Sequence, residues 1–109
     1  MKWIEIPSHY LSEKSIIQLV ELSEKSFCLV WNDDKWIAFS KKCPHAGANL
    51  SHGWCEGKDI VCPYHRHRFN LIDGRGAPGQ GNYIDIYPLK ESNGMLYIGV
   101  TENIWSRIF

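Results

Sequence analysis

The sequence lacks a net charge, a long apolar run and a signal-peptide core. Its twelve Lys and Arg residues balance its twelve Asp and Glu residues, so it has no overall field of the kind that attracts nucleic acid or membrane surfaces. No uncharged run approaches the roughly 18 residues of a transmembrane helix, and the N-terminus has no run of about seven apolar residues. We therefore expect a cytoplasmic protein that binds neither nucleic acid nor membranes.

Cysteines are few, and internal repeats, low-complexity segments and linkers are absent. The 109 residues match the commonest domain size, so we expect one domain over residues 1–109. Its 44% apolar residues should fold without disulfides. In the cytoplasm the four cysteines should be reduced thiols. Metal binding then explains a cysteine beside a histidine better than a disulfide does.

Strand patterns dominate both ends of the sequence. Ser26 to Asn32 and Lys35 to Ser40 are rich in aromatic and branched residues and meet at an Asn-Asp-Asp turn, which predicts a hairpin. Tyr83 to Leu89 and Met95 to Val100 flank an Asn-Gly turn and predict a second hairpin. Ser15 to Leu22 fits a helix or a strand, and its shortness favours a strand.

Residues 41–81 differ from both ends. They hold seven of the nine glycines and four of the five histidines, and show little apolar periodicity. A loop-rich segment of this length inside a compact domain is usually functional. Something other than apolar packing has to order it.

Two Cys-His pairs lie in this segment, Cys43-Pro44-His45 and Cys62-Pro63-Tyr64-His65, with sixteen residues between them. Two Cys and two His satisfy tetrahedral zinc, although zinc modules usually pair Cys with Cys. Mixed pairs suit two metal atoms, one held by both sulfurs and the other by both nitrogens, as in a [2Fe-2S] centre with two His ligands. A zinc site remains the alternative, and spacing alone does not choose between His65 and His67.

Both pairs resemble the ligand motifs of the Rieske-type [2Fe-2S] ferredoxin family. The segment C-P-H-A-G-A-N-L-S-H-G, residues 43–53, is similar to the first motif, with Gly47 and Leu50 at family positions. The segment C-P-Y-H-R-H-R-F-N, residues 62–70, is similar to the second. Gly76-Ala77-Pro78-Gly79 resembles the proline-containing loop that covers the cluster in this family.

The resemblance implies one [2Fe-2S] cluster per chain, with one iron bound by Cys43 and Cys62 and the other by His45 and His65. It also implies an all-β fold of three antiparallel sheets, with the cluster-binding loops at one end. The expected surroundings of the cluster are Gly47, Leu50, Tyr64 and Pro78. High-potential relatives carry two extra cysteines, at the positions held here by Ala48 and Tyr64, so the resemblance favours the ferredoxin-type branch.

A local basic face is expected beside the second motif. Arg66 stands where the family commonly has glycine, and Lys41, Lys42 and Arg68 add positive charge. With His67 between the two arginines, this face would dock an acidic surface of a partner.

The function implied by the resemblance is one-electron transfer from a reductase to a terminal oxygenase or reductase. The chain itself is expected not to be an enzyme, since it has no room for a second, catalytic domain. The alternatives are a small subunit of a nitrite-reductase-like enzyme, a redox sensor and a zinc-stabilised interaction module.

We predict that His65→Ala abolishes the native cluster and that His67→Ala leaves it assembled, because the family ligand falls on His65. Iron and sulfide analysis, together with the absorption spectrum, measures the outcome. Equal loss of cluster in the two variants would show that the assignment of His65 as the ligand is wrong.

Overall fold

The computed structural model describes residues 1–44, 47–64 and 66–101, which form ten short β-strands and two 3₁₀ helices. The 3₁₀ helices span Ser8–Ser12 and Leu50–His52. No α-helix occurs in the described ranges, and no helix there is long and apolar enough to cross a membrane. The strands are β1 (Lys2–Ile6), β2 (Gln18–Glu21), β3 (Ser26–Asn32), β4 (Lys35–Phe39), β5 (Trp54–Glu56), β6 (Asp59–Val61), β7 (Arg68–Asn70), β8 (Ile86–Tyr87), β9 (Leu89–Ser92) and β10 (Met95–Val100).

The strands form three antiparallel sheets, which confirms the predicted fold class. The terminal sheet has the order β1-β10-β9, the central sheet β2-β3-β4-β8 and the third sheet β5-β6-β7. The third sheet lies entirely within the predicted functional segment. Its strands have only three residues each, too few for an alternating apolar pattern to be visible in the sequence.

Strand β3 is the centre of the molecule, because it is buried on both faces. Successive side chains of a strand point to opposite sides. Phe27 and Leu29 accordingly join the core cluster between the central and terminal sheets, while Cys28 and Val30 join the cluster that faces the third sheet. The second cluster includes Cys43 and Cys62, the cysteines of the two predicted ligand loops.

The first predicted hairpin is confirmed. Strands β3 and β4 pair with Asn32 opposite Lys35, leaving the two-residue turn Asp33-Asp34. Both turn residues have positive φ, 54° and 60°, as the type I′ turn of a tight hairpin requires. The ambiguous segment before it contains the short strand β2, so the strand interpretation is also confirmed.

The second predicted hairpin is right at its turn and wrong in its first arm. Ser92 pairs with Met95 around Asn93-Gly94, but the arm is β9 rather than a strand from Tyr83 to Leu89. Ile86 and Tyr87 form β8 and pair with β4 in the central sheet. Pro88, which has no amide hydrogen to donate, separates β8 from β9. The apolar run therefore serves two sheets in succession.

Candidate metal centre

Two of the predicted ligands, Cys43 and Cys62, meet in the core. Their side chains are 1% and 0% exposed and belong to the same apolar cluster. The two thiols lie within hydrogen-bonding reach of each other, and neither forms a disulfide. Cysteines from two separate loops thus present a pair of sulfur donors to one point, an arrangement that fits a thiophilic metal atom.

The surroundings of the Cys62 thiol disfavour the loss of its proton. Burial raises the pKa of this thiol, and the neighbouring Cys43 thiol raises it further, while the backbone N–H of Tyr64, hydrogen-bonded to the sulfur, lowers it. Two adjacent buried thiolates would repel each other in the absence of a cation. A positively charged metal atom between them removes that repulsion.

The two loops that carry these cysteines share one backbone design. The amide of Cys43 donates to the Ala48 carbonyl at 2.8 Å, and the amide of Cys62 donates to the His67 carbonyl at 2.8 Å. Each loop is therefore closed by its own cysteine, through a bond to the fifth residue after it. The close match was not visible in the sequence, where the Cys-to-His spacings differ.

The fourth residue after each cysteine has a positive φ. Gly47 has φ 70° in the first loop, and Arg66 has φ 55° in the second. Glycine adopts this left-handed conformation without penalty, whereas a residue with a Cβ pays a steric cost. The family pattern, with glycine at the position of Arg66, thus has a conformational reason. This chain fills the same backbone position with a cationic side chain instead.

The other two predicted ligands, His45 and His65, lie outside the described residues, as does Ala46. Within the described ranges no group of three or more His, Cys, Asp and Glu side chains could hold a metal ion. The cysteine pair is therefore the part of the predicted site that the structure brings together. The four-ligand set stays a prediction.

Among the expected surroundings of the cluster, Leu50 is an internal anchor. Its side chain is fully buried in the cluster with both cysteines, and its amide donates to the Lys41 carbonyl at 2.7 Å. Asn49 caps the 3₁₀ helix that begins at Leu50, since its side-chain oxygen accepts the Ser51 amide at 2.9 Å. Gly47, Tyr64 and Pro78 lie at the surface instead. The first loop is thus pinned at its end and exposed at its tip.

The three residues predicted for partner docking have different environments. Arg66 is exposed, and His67 is half-buried and closes the second loop through its carbonyl. The guanidinium of Arg68 contacts the carboxylates of Glu56 at 2.6 Å and Asp59 at 3.2 Å. The positive charge of Arg68 is therefore largely compensated within the third sheet.

Glu56 links this ion-pair network to an exposed aromatic side chain. The indole N–H of Trp54 donates to Glu56 at 2.6 Å, and this bond and then the bonds from Arg68 hold the pKa of the Glu56 carboxyl below its usual range. The stabilisation is present above the ordinary carboxyl pKa and is lost as the pH falls through the lowered value. This network could not be predicted from the sequence, because Arg68 lies twelve residues from Glu56 and nine from Asp59 along the chain.

A family model described as "Rieske [2Fe-2S] domain" matches residues 3–88. The chain is 33% identical over 91 residues to the ferredoxin component of the naphthalene 1,2-dioxygenase system of Pseudomonas aeruginosa, covering 82% of this chain and 86% of the relative.

Solved structures share the fold. The ferredoxin of carbazole 1,9a-dioxygenase from Nocardioides aromaticivorans IC177 has a TM-score of 0.78 at 18% identity, with 93% of this chain and 100% of that chain covered. A complex of reduced oxygenase and oxidised ferredoxin in carbazole 1,9a-dioxygenase matches with a TM-score of 0.75 at 22% identity, covering 88% and 91%.

We predict that Arg66→Gly raises the free energy of unfolding by about 0.5–1 kcal/mol, because relief of the left-handed strain outweighs the larger entropy of an unfolded glycine. Gly47→Ala should lower it by about 1 kcal/mol. Among the described residues, chain neighbours apart, no atom lies within 4 Å of a Cβ built on Gly47, so we attribute this cost to the backbone conformation. Anaerobic urea unfolding measures both variants. Destabilisation of similar size in the two variants would contradict the shared loop design.

Proposed function

Because this chain belongs to the Rieske [2Fe-2S] domain family, we propose that it is the ferredoxin component of an oxygenase system and carries single electrons from a reductase to a terminal oxygenase. The structural observation that supports this proposal most directly is the pair of buried, adjacent thiols of Cys43 and Cys62. Relatives named as ferredoxin components of dioxygenase systems support the same assignment.

Family membership confirms the predicted cofactor, a [2Fe-2S] cluster, and the predicted class of electron carrier. Cys43, Cys62, His45 and His65 would hold the cluster. When bound, it takes up and releases one electron at a time.

The chain itself contributes a dry and hydrogen-bonded environment for the sulfur ligands. Both cysteine side chains are excluded from solvent by the core cluster around Leu50 and Phe69. The amide of Tyr64 points to the sulfur of Cys62, and amide hydrogen bonds to ligand sulfurs stabilise the additional negative charge of a reduced site. The protein thereby tunes the reduction potential of the cluster without supplying a reactive group of its own.

We propose that the chain is not itself an enzyme and that it works in the cytoplasm. The relatives are electron-transfer components rather than catalytic ones. All four cysteines lie in described parts of the chain and are free thiols, which suits a reducing compartment.

The docking face is proposed to be the exposed rim of the two ligand loops. Pro44 and Tyr64 are exposed there and supply apolar contact area, with Lys42 and Arg66 as exposed cations. Arg68 adds little free positive charge to this rim, since its guanidinium is paired with the carboxylates of Glu56 and Asp59. The fitting partner is a redox protein with an acidic patch around its own electron entry point.

The carrier assignment predicts a coloured protein that contains two irons and two sulfides per chain and takes up one electron in a reductive titration with dithionite. Metal and sulfide analysis and the titration endpoint measure this on the purified chain. A colourless protein with one zinc and no sulfide would refute the assignment.

The docking assignment predicts that the rim has a local positive potential. Oxidation of the reduced protein by the anion ferricyanide should slow on the order of fivefold in Arg66→Glu at low salt, and the difference should vanish at about 0.5 M salt. Oxidation by the cation hexaammineruthenium should become faster. Stopped-flow absorbance measures both rates.

Lys2→Glu is the matched control, because it makes the same change in net charge at an exposed position of β1 in the terminal sheet. It should leave both oxidation rates near those of the unsubstituted protein. Equal effects of the two substitutions would show that net charge, rather than charge at the rim, controls access.

A further inference from the structure

The side chain of Gln80 bonds the outer edge of β7 at Arg68. This strand is the edge of the third sheet, and the backbone groups of an edge strand need partners from outside the sheet. The side-chain oxygen of Gln80 accepts the Arg68 amide at 2.9 Å, and its side-chain nitrogen donates to the Arg68 carbonyl at 3.0 Å. At Arg68, one carboxamide thus bonds both backbone groups on the outer side of β7. The backbone of residues 75–77 partners the rest of this edge, through the Phe69–Gly76 bridge and the bond from the Asn70 amide to the Arg75 carbonyl at 2.8 Å.

The same residue of β7 also holds the loop at residues 77–79. The Ala77 amide donates to the Arg68 carbonyl at 3.1 Å, and the Gln80 amide donates to the Ala77 carbonyl at 3.0 Å. The turn that contains Pro78 is therefore tied to Arg68 by its first residue and by the side chain that follows it. Residues 77–79 have no other described hydrogen bond to β7.

Gly76 leaves the space that Gln80 occupies. A Cβ at position 76 would lie 2.6 Å from the Gln80 side-chain nitrogen and 2.7 Å from the Asn82 carbonyl oxygen. Both distances are shorter than real Cβ contacts allow. The glycine and the glutamine therefore form one unit, in which the missing side chain of the first admits the carboxamide of the second.

Arg68 connects this unit to the metal centre. It directly follows His67, whose carbonyl accepts the Cys62 amide and closes the second ligand loop. Displacement of the Arg68 backbone would therefore move the acceptor on which the Cys62 loop depends. Gln80 is thus connected to the buried Cys62 through the backbone of two consecutive residues, Arg68 and His67.

We propose that Gln80 is a positioning residue that locks the second ligand loop and the loop at residues 77–79 into one rigid body. This inference rests on the proposed function, since it concerns the environment of the cluster. Hydrogen bonding and solvent exposure around a cluster set its reduction potential, and both depend on where these two loops lie. Gln80 acts on the site through the Arg68 backbone and touches no ligand.

The test compares Gln80→Met with Gln18→Met. Methionine has nearly the shape of glutamine and no charge, so Gln80→Met removes both bonds to Arg68. Gln18 also makes two bonds from its side chain to backbone carbonyls, to Tyr10 at 2.7 Å and Glu13 at 3.1 Å, but in the central sheet. Gln80→Met also removes the bond from the Gln80 side-chain nitrogen to the Asn82 side-chain oxygen at 3.1 Å, so it removes three bonds where Gln18→Met removes two. The two substitutions are matched in side-chain chemistry.

Both variants should unfold at lower denaturant concentration, and only Gln80→Met should change the properties of the cluster. We expect its one-electron equilibrium with a redox dye to shift about threefold to tenfold, where tenfold corresponds to about 59 mV. Iron loss to a chelator should also be several-fold faster. Unchanged potential and chelation in Gln80→Met, or equal changes in Gln18→Met, would overturn the proposal.

Gly76→Ala gives an independent approach to the same contact. It should shift the potential in the same direction as Gln80→Met. The double variant should shift the potential by clearly less than the sum of the two single shifts, because both substitutions displace the Gln80 carboxamide, although Gly76→Ala also crowds the Asn82 carbonyl oxygen. Additive shifts in the double variant would overturn the coupling of these two residues.

Hydrogen exchange in the unsubstituted chain tests the clamp without any variant. The Arg68 amide should be protected to about the level of the Phe69 amide, which lies opposite Ile60 inside the sheet. Fast exchange at Arg68 alone would refute the clamp. Failure of the proposed function has a different signature, since an unsubstituted protein without iron and sulfide would refute the carrier while leaving Arg68 protected.

Discussion

The burial of two thiols side by side is the constraint on which the arrangement of residues 41–81 depends. Cys43 and Cys62 occupy the same apolar cluster as Cys28 of the central sheet and Phe69 of the third sheet. Like charges at such short range, away from water, are unfavourable unless a cation compensates them. In the proposed site, metal binding and the folding of this segment are coupled, because the site that would hold the metal exists only when both loops are in place.

Backbone hydrogen bonds take over the ordering role that apolar side chains have elsewhere in the chain. Each ligand loop is closed by the amide of its cysteine, Leu50 fixes the exit of the first loop, and Gln80 fixes the exit of the second. The third sheet, although its strands are short, gives these bonds a fixed frame through Ile60 and Phe69, both fully buried. Two matched loops on one frame bring their cysteines to the same point.

The features that could be predicted from the sequence are those whose determining signal is local. The Asn-Asp-Asp and Asn-Gly turns specified both hairpins, and the spacing of the Cys-His pairs, with the family resemblance, located the cysteine pair. Two features could not be predicted in this way. One apolar run divides between two sheets at Pro88, and β1 depends on pairing with β10 near the other end of the chain. The contacts of Arg68 with Glu56 and with Gln80 each join residues twelve positions apart, so no local pattern in the sequence indicates them.

The sealed edge of β7 bears on how long an encounter lasts. An exposed strand edge recruits other chains through backbone hydrogen bonds, a mode of binding that many proteins use to form lasting complexes. A shuttle has the opposite requirement, since it must leave one protein before it can reach the next, and its turnover is limited by the slower departure. By covering the outer edge of β7 with the Gln80 carboxamide and the backbone of residues 75–77, the chain withholds this edge from visiting proteins. An encounter at this point has to rely on side-chain contacts, which are made and broken quickly.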